Sequence, residues 1–424
     1  MAAICTSVQS PIAKIKNWVE RGRSALIKLI FPLFLFTSIF ICKVLPLLVR
    51  RKTPSKDILF LENFPIENAG YQYRAKKWAE IFTINGFSSE VITIENSKNK
   101  FDEYLKKNTA QFLIKSMFLR IKQCLYARNF KIVIVRRELL LFNDYGNCYM
   151  EKFLLAIHSN VILDFDDDIS ASKKQPKEIT NLYGKLLLEN GNKFNDTLRL
   201  YSKFIVGSKY LKNKVLKENT AINCSNICII PTCVDYDKES PKEYKIDKGS
   251  DLIVFGWIGG NHNHHCIDII IDPLNQIHKT QKVKLLVVSG GKYANCKAAF
   301  TIENLPWSVS KEKESVKKFD IGLMPIPNNE VSLGKCAFKL IQYMGLGIIS
   351  IATGITANND VIDNNIDGFL VKSDNSNWFQ VISKVLRNKR HFPELSKKAT
   401  EKIFTHYSFI ANTQQYIKFI INNK

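Results

Sequence analysis

The stretch DIGLMPIPNNEVSLGKCAFKLIQYMGLG, residues 320–347, decides the fold of this chain. Within it, Ile321–Pro325 is an apolar run that ends at a Pro-Ile-Pro break and has the length of one buried strand. After a polar loop, apolar side chains recur at helical spacing between Gly334 and Gly345. Ile348–Ile351 then predicts a second buried strand. A strand, a loop, a helix and a strand in this order are the unit of a parallel sheet.

The helix predicted to open at Gly334 carries two cations near its start. Lys335 and Lys339 are four residues apart, which predicts that both lie on one helix face. Free backbone N–H groups, the positive end of the helix dipole and two ammonium groups together favour a bound phosphate. The alternative is that both lysines are solvated surface residues, since lysine side chains are mostly exposed.

Composition limits the class of protein. A length of 424 residues predicts about two domains, and the hydrophobic (46%) and charged (24%) fractions are typical of a globular chain. The net charge of +22 favours an anionic partner, such as phosphate groups, membrane lipid or nucleic acid. The ten cysteines include no C-x-x-C pair, which predicts reduced thiols in a cytosolic compartment and neither a disulfide framework nor a zinc site.

Residues 1–56 differ in composition from the rest of the chain. They contain one acid, Glu20, and ten basic residues: Lys14, Lys16, Arg21, Arg23, Lys28, Lys43, Arg50, Arg51, Lys52 and Lys56. Leu29–Cys42 is uncharged and rich in aromatic residues, and Val44–Val49 extends this run beyond Lys43. A signal peptide fits poorly, because the run is too long and no small-residue cleavage site follows it.

We therefore expect membrane attachment through residues 25–50, with two modes left open. A single span needs about 20 apolar residues, and the run reaches that length only by including Lys43 and two prolines. A monotopic or re-entrant anchor with basic flanks on anionic lipid is the other mode. An ordinary buried helix is the alternative to both. We expect the large C-terminal part to lie at the cytoplasmic face.

The globular pattern begins at Asp57. Ile58–Leu61 predicts a strand, residues 71–85 a helix, and Glu90–Ile94 the next strand, which together form a Rossmann-like βαβ unit. The connecting loop has one glycine, so it is not a dinucleotide fingerprint. Tyr73 and Arg74 lie at the start of the predicted helix, where the arginine could meet a phosphate or could be an ordinary surface residue.

Charged side chains follow two further predicted strands. Arg137 comes after the strand Lys131–Val135, and the strand Asn160–Phe165 contains Asp164 and runs into Asp166–Asp168. In open α/β sheets, ligands bind outside the carboxyl ends of the strands, so these residues are candidates for binding. The aspartates fit a divalent metal site, carboxylates that accept hydrogen bonds from substrate hydroxyls, or acids that cap a helix. We expect no metal.

The second half opens with another glycine-bearing loop. After a weakly apolar linker at 236–250, Leu252–Phe255 predicts a strand that is followed directly by Gly256, Trp257, Ile258, Gly259, Gly260 and Asn261. Such a loop lets backbone N–H groups approach an anion, and a helix starting near His264 would point at the same place as the Lys335 helix. Two helix N-termini at one crevice favour a diphosphate. Gly354 follows the Ile348–Ile351 strand and is expected to open onto the same crevice.

Four motifs of the second half occur in a fixed order: FGWIGG (255–260), DIGLMPI (320–326), GKCAFKLIQYMGLG (334–347) and NNIDGFLV (364–371). Together they resemble the GT-B glycosyltransferases of the family 4 type, in the branch that builds bacterial surface polysaccharides. The first half agrees through VRREL (135–139), LDFDDDI (163–169), IVGSKYL (205–211) and IIPTCVD (229–235). The resemblance covers residues 57–424.

The resemblance implies an α/β fold in which two Rossmann-like domains face a central cleft, here preceded by an N-terminal hydrophobic membrane segment. Its expected domains are the membrane-attachment segment 1–56, an acceptor domain at 57–240 and a nucleotide-sugar domain at 251–405. Residues 406–424 are expected to form a helix that packs back on the acceptor domain.

The activity implied by the resemblance is transfer of a sugar from a nucleotide-diphosphate-sugar to a lipid-linked or saccharide acceptor, with retention of configuration. The expected partners are that donor, that acceptor and an anionic membrane surface, without nucleic acid. No cofactor is expected, because the nucleotide-sugar is a substrate. The expected catalytic residues are Lys335, Lys339 and Asp166. The expected donor-binding residues are Gly256, Trp257, Gly259, Gly260, Gln342 and Gly354. The expected acceptor-binding residues are Tyr73, Arg74, Arg137, Asp164 and Asp167.

The chain departs from this family at one motif. Many relatives carry two glutamates that are separated by seven residues, whereas this chain has Gly334 and Gln342 at those positions. The missing acids favour, as an alternative, a non-catalytic GT-B-like subunit that binds polysaccharide or serves assembly. A sugar-nucleotide epimerase shares the architecture but needs no membrane segment. Nucleic-acid binding has only the net charge in its favour.

Overall fold

The computed structural model describes residues 31–50, 52–106, 109–142, 148–170, 193–236, 241–244 and 252–422. Predictions for the basic residues before the apolar run, for Arg51 and for most of the 236–250 linker lie outside the described residues. The described residues divide into two compact units. Those within 1–68, 90–161 and 173–201 form the first unit, and those within 69–89, 162–172 and 202–424 form the second. The predicted domain boundaries stay a prediction.

Twelve strands of the described residues form two six-stranded sheets, which confirms the α/β prediction. The strands of the first sheet are β1 (Lys56–Leu61), β2 (Ser89–Ile92), β3 (Phe130–Arg136), β4 (Val161–Phe165), β5 (Phe204–Val206) and β6 (Ile227–Ile229), in the order β2-β1-β3-β4-β5-β6. The strands of the second sheet are β7 (Leu252–Ile258), β8 (Lys282–Ser289), β9 (Thr301–Pro306), β10 (Ile321–Met324), β11 (Ile349–Thr353) and β12 (Phe369–Val371), in the order β12-β11-β10-β7-β8-β9. The second sheet is parallel throughout.

Helices connect most successive strands of both sheets, as parallel pairing requires, and further helices precede β1 and follow β12. Up to β6 they are Phe31–Leu48, Tyr71–Lys76 (a π-helix), Lys77–Ile84, Lys98–Lys106, Thr109–Ala127, Tyr149–Ile157, Lys193–Leu200, Lys209–Glu218 and the 3₁₀ turn Cys224–Asn226. After β7 they are Asn261–Ile270 (3₁₀), Ile271–His278, Val309–Lys311 (3₁₀), Glu312–Lys317, Glu330–Leu333, Phe338–Gly345, Thr356–Val361, Trp378–Arg387, Lys389–His391 (3₁₀), Phe392–Lys402, Ile403–Tyr407 (π) and Phe409–Ile421.

The strand order of the second sheet indicates where along the sheet a ligand would bind. The chain runs outward from β7 through β8 to β9, and then returns to β10 beside β7 and runs outward on the other side. Strand order reverses between β7 and β10, and ligands of such sheets bind outside the carboxyl ends of the strands at that switch. Both faces of the sheet are covered, since Phe255 and Trp257 lie in one apolar cluster and Ile258 in the other.

Several predicted boundaries are wrong within residues 320–347. The predicted polar loop at 328–332 overlaps the short helix Glu330–Leu333. The Asn329 side chain accepts a hydrogen bond from Ser332 N and caps the start of this helix. The α-helix after it begins at Phe338 and not at Gly334. Consequently, Lys335 precedes this helix and does not share one of its faces with Lys339.

Two other boundaries also differ. Strand β7 continues through Ile258, so Gly256 and Trp257 lie within the strand and not in the loop after it. The helix expected near His264 is instead the 3₁₀ helix Asn261–Ile270, with the α-helix starting at Ile271. The final helix, Phe409–Ile421, is confirmed.

Aromatic contacts hold the final helix in the second compact unit. The Trp78 ring lies 5.0 Å from that of Phe409 and 4.6 Å from that of Tyr416, measured between centroids. Trp78 belongs to the helix Lys77–Ile84, and its ring is fully buried. Edge-to-face packing of this kind contributes beyond the buried area alone.

Candidate functional site

The loop that leaves β7 at the switch point is closely packed at Gly259. A Cβ atom at this position would lie 2.6 Å from the Trp257 ring and 2.8 Å from Lys339 Cε. Only glycine therefore allows the loop to pass beneath the lysine. The Gly259 N–H is used inside the sheet, where it donates to the Val288 carbonyl over 3.0 Å.

Two lysines reach this loop from different local structures. The Lys335 ammonium donates to Asn263 Oδ1 over 2.9 Å, and Lys335 lies between two helices. The Lys339 Nζ lies 5.4 Å from the centroid of the Trp257 ring, and Lys339 belongs to the helix Phe338–Gly345. The structure thus brings the two predicted phosphate-binding lysines together at the carboxyl end of β7.

The Lys339 ammonium is in an unfavourable setting without an anion. Burial, and after it the neighbouring charge of Lys335, lower its pKa to about 8. The face of the Trp257 ring offers the cation a partial compensation. A diphosphate at this place would supply the missing opposite charge.

The backbone between the two lysines is strained at Ala337. This residue has a φ of 56°, in the left-handed region, which costs about 1–2 kcal/mol for a residue with a side chain. The turn at Ala337 separates Lys335 from the helix that carries Lys339. Strain of this kind concentrates at ligand-binding and active sites, so its position supports the choice of this loop.

The aspartate loop after β4 lies against the same segment. The Asp168 N–H donates to the Gly334 carbonyl over 3.0 Å, and a Cβ atom at Gly334 would lie 2.2 Å from that of Asp168. A side chain therefore has no room at the position where many relatives carry glutamate. The Asp168 carboxylate itself accepts from Ser170 and pairs with Lys214 Nζ at 3.2 Å.

The other two aspartates of this loop are near Cys336. Asp166 is buried and accepts a hydrogen bond from Thr232 Oγ1 over 3.3 Å. Asp167 is half-buried, and burial together with the charges of Asp167 and Asp166 raises the pKa of the Cys336 thiol. The aspartate loop and the segment from Gly334 to Lys339 thus form one constellation of opposite charges.

Arg74 and Asp164 form a buried ion pair. Each side chain is 1% exposed. The guanidinium contacts both carboxylate oxygens, through Nη2 to Oδ1 and through Nε to Oδ2 at 3.3 Å, and Nη1 donates to the Ile230 carbonyl over 2.6 Å. The alternative that Arg74 is a surface residue is therefore wrong. The acceptor-binding role of the pair stays a prediction.

Sequence reasoning missed a buried carboxylate, Glu312. It accepts hydrogen bonds from the Tyr73 hydroxyl, from Trp307 Nε1 over 2.7 Å and from Gln342 Nε2 over 2.7 Å. Burial raises its pKa despite these three donors. Glu312 lies in the charged run KEKES, residues 311–315, and nothing in that run distinguishes it from a surface acid.

The remaining predicted residues lie in different settings. Gly256 is packed on the Phe319 ring and Gly354 on the Val371 carbonyl, so a side chain has little room at either position. Gly260 follows Gly259 in the loop, beneath the His262 ring. Arg137, in the first compact unit, has a φ of 64°, and its guanidinium carbon lies 5.9 Å from the centroid of the Phe64 ring.

Comparison with known proteins finds a family match in the second half of the chain. Residues 252–388 match the family described as glycosyl transferases group 1. This range contains both lysines, the loop after β7 and Glu312. No protein of curated function matches the sequence.

Solved structures share the fold over most of their length. Sucrose-phosphate synthase from Thermosynechococcus elongatus has a TM-score of 0.61 at 12% identity, covering 86% of this chain and 98% of its own. HepE from Anabaena, in complex with UDP-glucose, has a TM-score of 0.57 at 12% identity, covering 86% and 99%. The lipopolysaccharide outer core galactosyltransferase WaaB has a TM-score of 0.57 at 13% identity, covering 87% and 100%. The chain thus has the fold of the GT-B glycosyltransferases, and its residues 252–388 are a segment of the glycosyl transferases group 1 type.

Proposed function

We propose that this protein is a glycosyltransferase that uses a nucleotide-diphosphate-sugar donor. The observation that carries the proposal is the convergence of Lys335 and Lys339 on the loop Gly259–Asn263, at the switch point of a sheet within the matched segment. A cationic pair at this edge is suited to a diphosphate. The assignment to the family 4 type is part of the proposal.

The two lysines are proposed to act on the leaving group. When the bond between sugar and diphosphate breaks, negative charge grows on the diphosphate oxygens. Two fixed ammonium groups in a partly desolvated site stabilise that charge more in the transition state than in the bound donor, which is how electrostatic catalysis lowers a barrier. The lowered pKa of Lys339 is consistent with a site that is completed by an anion.

The other donor contacts follow from the neighbours of the lysines. The Gln342 amide nitrogen is engaged by Glu312, so its carbonyl oxygen is the atom proposed to accept from a ribose hydroxyl. Trp257, Gly256, Gly259, Gly260 and Gly354 are proposed to shape the donor pocket. Asp166 is proposed to face the transferred sugar, whereas Tyr73, Arg74, Arg137, Asp164 and Asp167 are proposed to serve the acceptor.

The acceptor is proposed to be a lipid-linked or oligosaccharide chain of a cell-surface polysaccharide, with retention at the anomeric carbon. Attachment of the protein at the cytoplasmic face of a membrane would bring the site to such an acceptor. Because HepE is seen with UDP-glucose, a UDP-hexose is the first donor to test. With such a donor, the proposed enzyme would be a hexosyltransferase.

The test is a nucleotide-release assay on the full chain with a panel of UDP-, GDP- and dTDP-sugars. The wild type is expected to release the nucleotide of one donor slowly, by hydrolysis. Lys335→Ala combined with Lys339→Ala is expected to abolish release while the circular dichroism spectrum stays unchanged. Lys384→Ala combined with Lys398→Ala, on exposed helix surfaces, is the matched control and is expected to retain release. Release by the lysine double variant at the wild-type rate would refute the assignment.

A non-catalytic GT-B-like subunit is the second candidate. Gly334 supplies no carboxylate at a position where many relatives have one, and Asp168 leaves no room for a side chain there. Binding of a nucleotide in a thermal-shift assay, without release from any sugar donor in the presence of membrane extract, would favour this candidate over the enzyme.

A further inference from the structure

The helix Phe31–Leu48 has two different apolar faces. It is 18 residues long, with a mean hydropathy of 2.1, and is long and apolar enough to cross a membrane. Its buried residues are Phe31, Leu35, Ser38 and Cys42. Their spacing of four, three and four residues places them on one face. Its large exposed apolar residues are Leu33, Phe36, Phe40, Leu47 and Leu48, which are 67–84% exposed.

The inner face is fixed to the first compact unit. The Phe34 ring packs edge-on against that of Phe118, with 6.0 Å between centroids, and Ser38 Oγ donates to the Tyr149 hydroxyl over 3.1 Å. Phe118 belongs to the helix Thr109–Ala127 and Tyr149 to the helix Tyr149–Ile157.

The chain just beyond the helix is fixed to the same unit. The Arg128 guanidinium donates to the Arg50 carbonyl, and the Lys52 ammonium donates to Asn129 Oδ1. Contacts at both ends thus hold the segment from Phe34 to Lys52 along the surface of this unit.

This attachment does not fit a helix that leaves the protein to cross a bilayer. A helix of 18 residues is about 27 Å long, and a span would need nearly all of that length surrounded by hydrocarbon. The attachment also does not fit an ordinary surface helix, whose outer face is polar. An exposed face with several large apolar side chains, among which the exposed Lys43 also lies, marks an interaction surface.

The charges around the outer face indicate its partner. Lys43, Arg50 and Lys52 are exposed in and just after the C-terminal part of the helix. Residues 1–56 together contain ten basic residues and one acid. Apolar side chains flanked by cations fit a bilayer surface with anionic headgroups, and each cation near such a surface adds to the binding. A second copy of the chain would bring the same basic flanks together, which disfavours a dimer.

We propose that the helix Phe31–Leu48 is a monotopic membrane-binding element: its inner face stays on the protein while Phe36, Phe40 and their neighbours enter the headgroup boundary of anionic lipid. The helix therefore lies in the plane of the membrane and does not span it. This mode of attachment is independent of the donor chemistry.

Binding of the purified full chain to vesicles tests the outer face. The wild type is expected to sediment with vesicles that contain phosphatidylglycerol, and less with pure phosphatidylcholine. Phe36→Gln combined with Phe40→Gln is expected to lower the partition coefficient by at least about tenfold, since two large apolar side chains lose their burial. Ile84→Gln combined with Ile410→Gln changes two side chains that are 83% and 74% exposed elsewhere, and is expected to bind as the wild type does.

Protease accessibility tests the orientation. Trypsin added to sealed inverted membrane vesicles from expressing cells is expected to cleave both the basic residues at 14–28 and those at 50–52, because both flanks of a monotopic helix lie on one side. Protection of the N-terminal flank would show a span and overturn the proposal. Vesicle binding by the Phe36 and Phe40 variant at the wild-type level would also overturn it. So would a variant that binds vesicles normally but no longer associates with a second copy of the chain.

Discussion

The Gln342 amide nitrogen donates a 2.7 Å hydrogen bond to Glu312, a carboxylate 30 residues earlier in the chain that is 2% exposed. Gln342 stands where many relatives of the family it resembles carry an acid. The structure therefore keeps a carboxylate beside this position, but supplies it from another helix. The same carboxylate also engages Tyr73 and Trp307, so it connects three separate elements of the second compact unit.

Substitution of Glu312 should destabilise the fold. Glu312→Ala leaves the buried Gln342 amide and the half-buried Tyr73 and Trp307 donors without their acceptor. Each unsatisfied buried group costs about 1–3 kcal/mol, so a loss of at least about 2 kcal/mol is expected. Urea unfolding followed by circular dichroism measures the loss. Glu314→Ala, in the same short helix but with an exposed side chain, is the control and should change stability by less than about 0.5 kcal/mol. Equal effects of the two substitutions would contradict the role given to Glu312.

A side chain at Gly334 should be poorly tolerated. Its Cβ atom would lie 2.2 Å from that of Asp168 and 3.0 Å from the Asp168 nitrogen, so either the aspartate loop or the turn must move. Gly334→Ala is expected to cost about 1–3 kcal/mol, as overpacking does. Gly334→Ala should cost less in an Asp168→Gly background than in the wild type, because the background change removes the clashing Cβ. Additive effects of the two changes in thermal unfolding would refute the contact.

Relief of the strain at Ala337 should stabilise the protein. Glycine adopts a φ of 56° without the steric cost that alanine has there, so Ala337→Gly is expected to gain about 0.5–1 kcal/mol in unfolding free energy. Ala399→Gly is the matched control, since Ala399 is buried in the regular helix Phe392–Lys402. That control should lose about 1 kcal/mol. Destabilisation by both substitutions would show that Ala337 is not strained.

Particular residues show how far sequence reasoning reaches. Strands β10 and β11 were predictable because each is a short, mostly apolar run that ends near a proline or a glycine, as a strand buried on both faces does. The start of the helix after Gly334 was not, because apolar spacing continues through Ala337 although the backbone there is left-handed. Lys335 and Lys339 were predicted to meet on a helix face. Instead, both contact the loop after β7, which is distant from them in sequence and adjacent only through tertiary packing. Glu312 had no local signal, since its partners lie at positions 73, 307 and 342.

Nucleotide binding should depend on pH through Lys339. Because burial and Lys335 lower its pKa to about 8, the free protein begins to lose this proton near pH 8, whereas a bound diphosphate would hold it. Binding above pH 8 must therefore take up a proton, and the affinity for UDP should fall by up to about tenfold for each pH unit above 8. Isothermal titration calorimetry in buffers of different ionisation enthalpy measures both the affinity and the proton uptake. Lys339→Arg retains a charge throughout this range and should bind with a flat pH profile.

The lowered pKa of Lys339 also determines how the stability of the ligand-free protein changes with pH. The unfolded chain keeps the Lys339 proton up to the ordinary value of 10.5, whereas the folded protein loses it near 8. Between these pH values the unfolded state therefore binds more protons than the folded state. The free energy of unfolding consequently rises with pH across this window, and the gain is lost again as pH falls to about 8. Lys339→Gln removes that contribution, so the difference in unfolding free energy between wild type and variant should shift in favour of the wild type as pH rises from 8 towards 10.5. A difference that stays constant over this range would show that the Lys339 ammonium is not desolvated, and the cationic site would then need no anion to complete it.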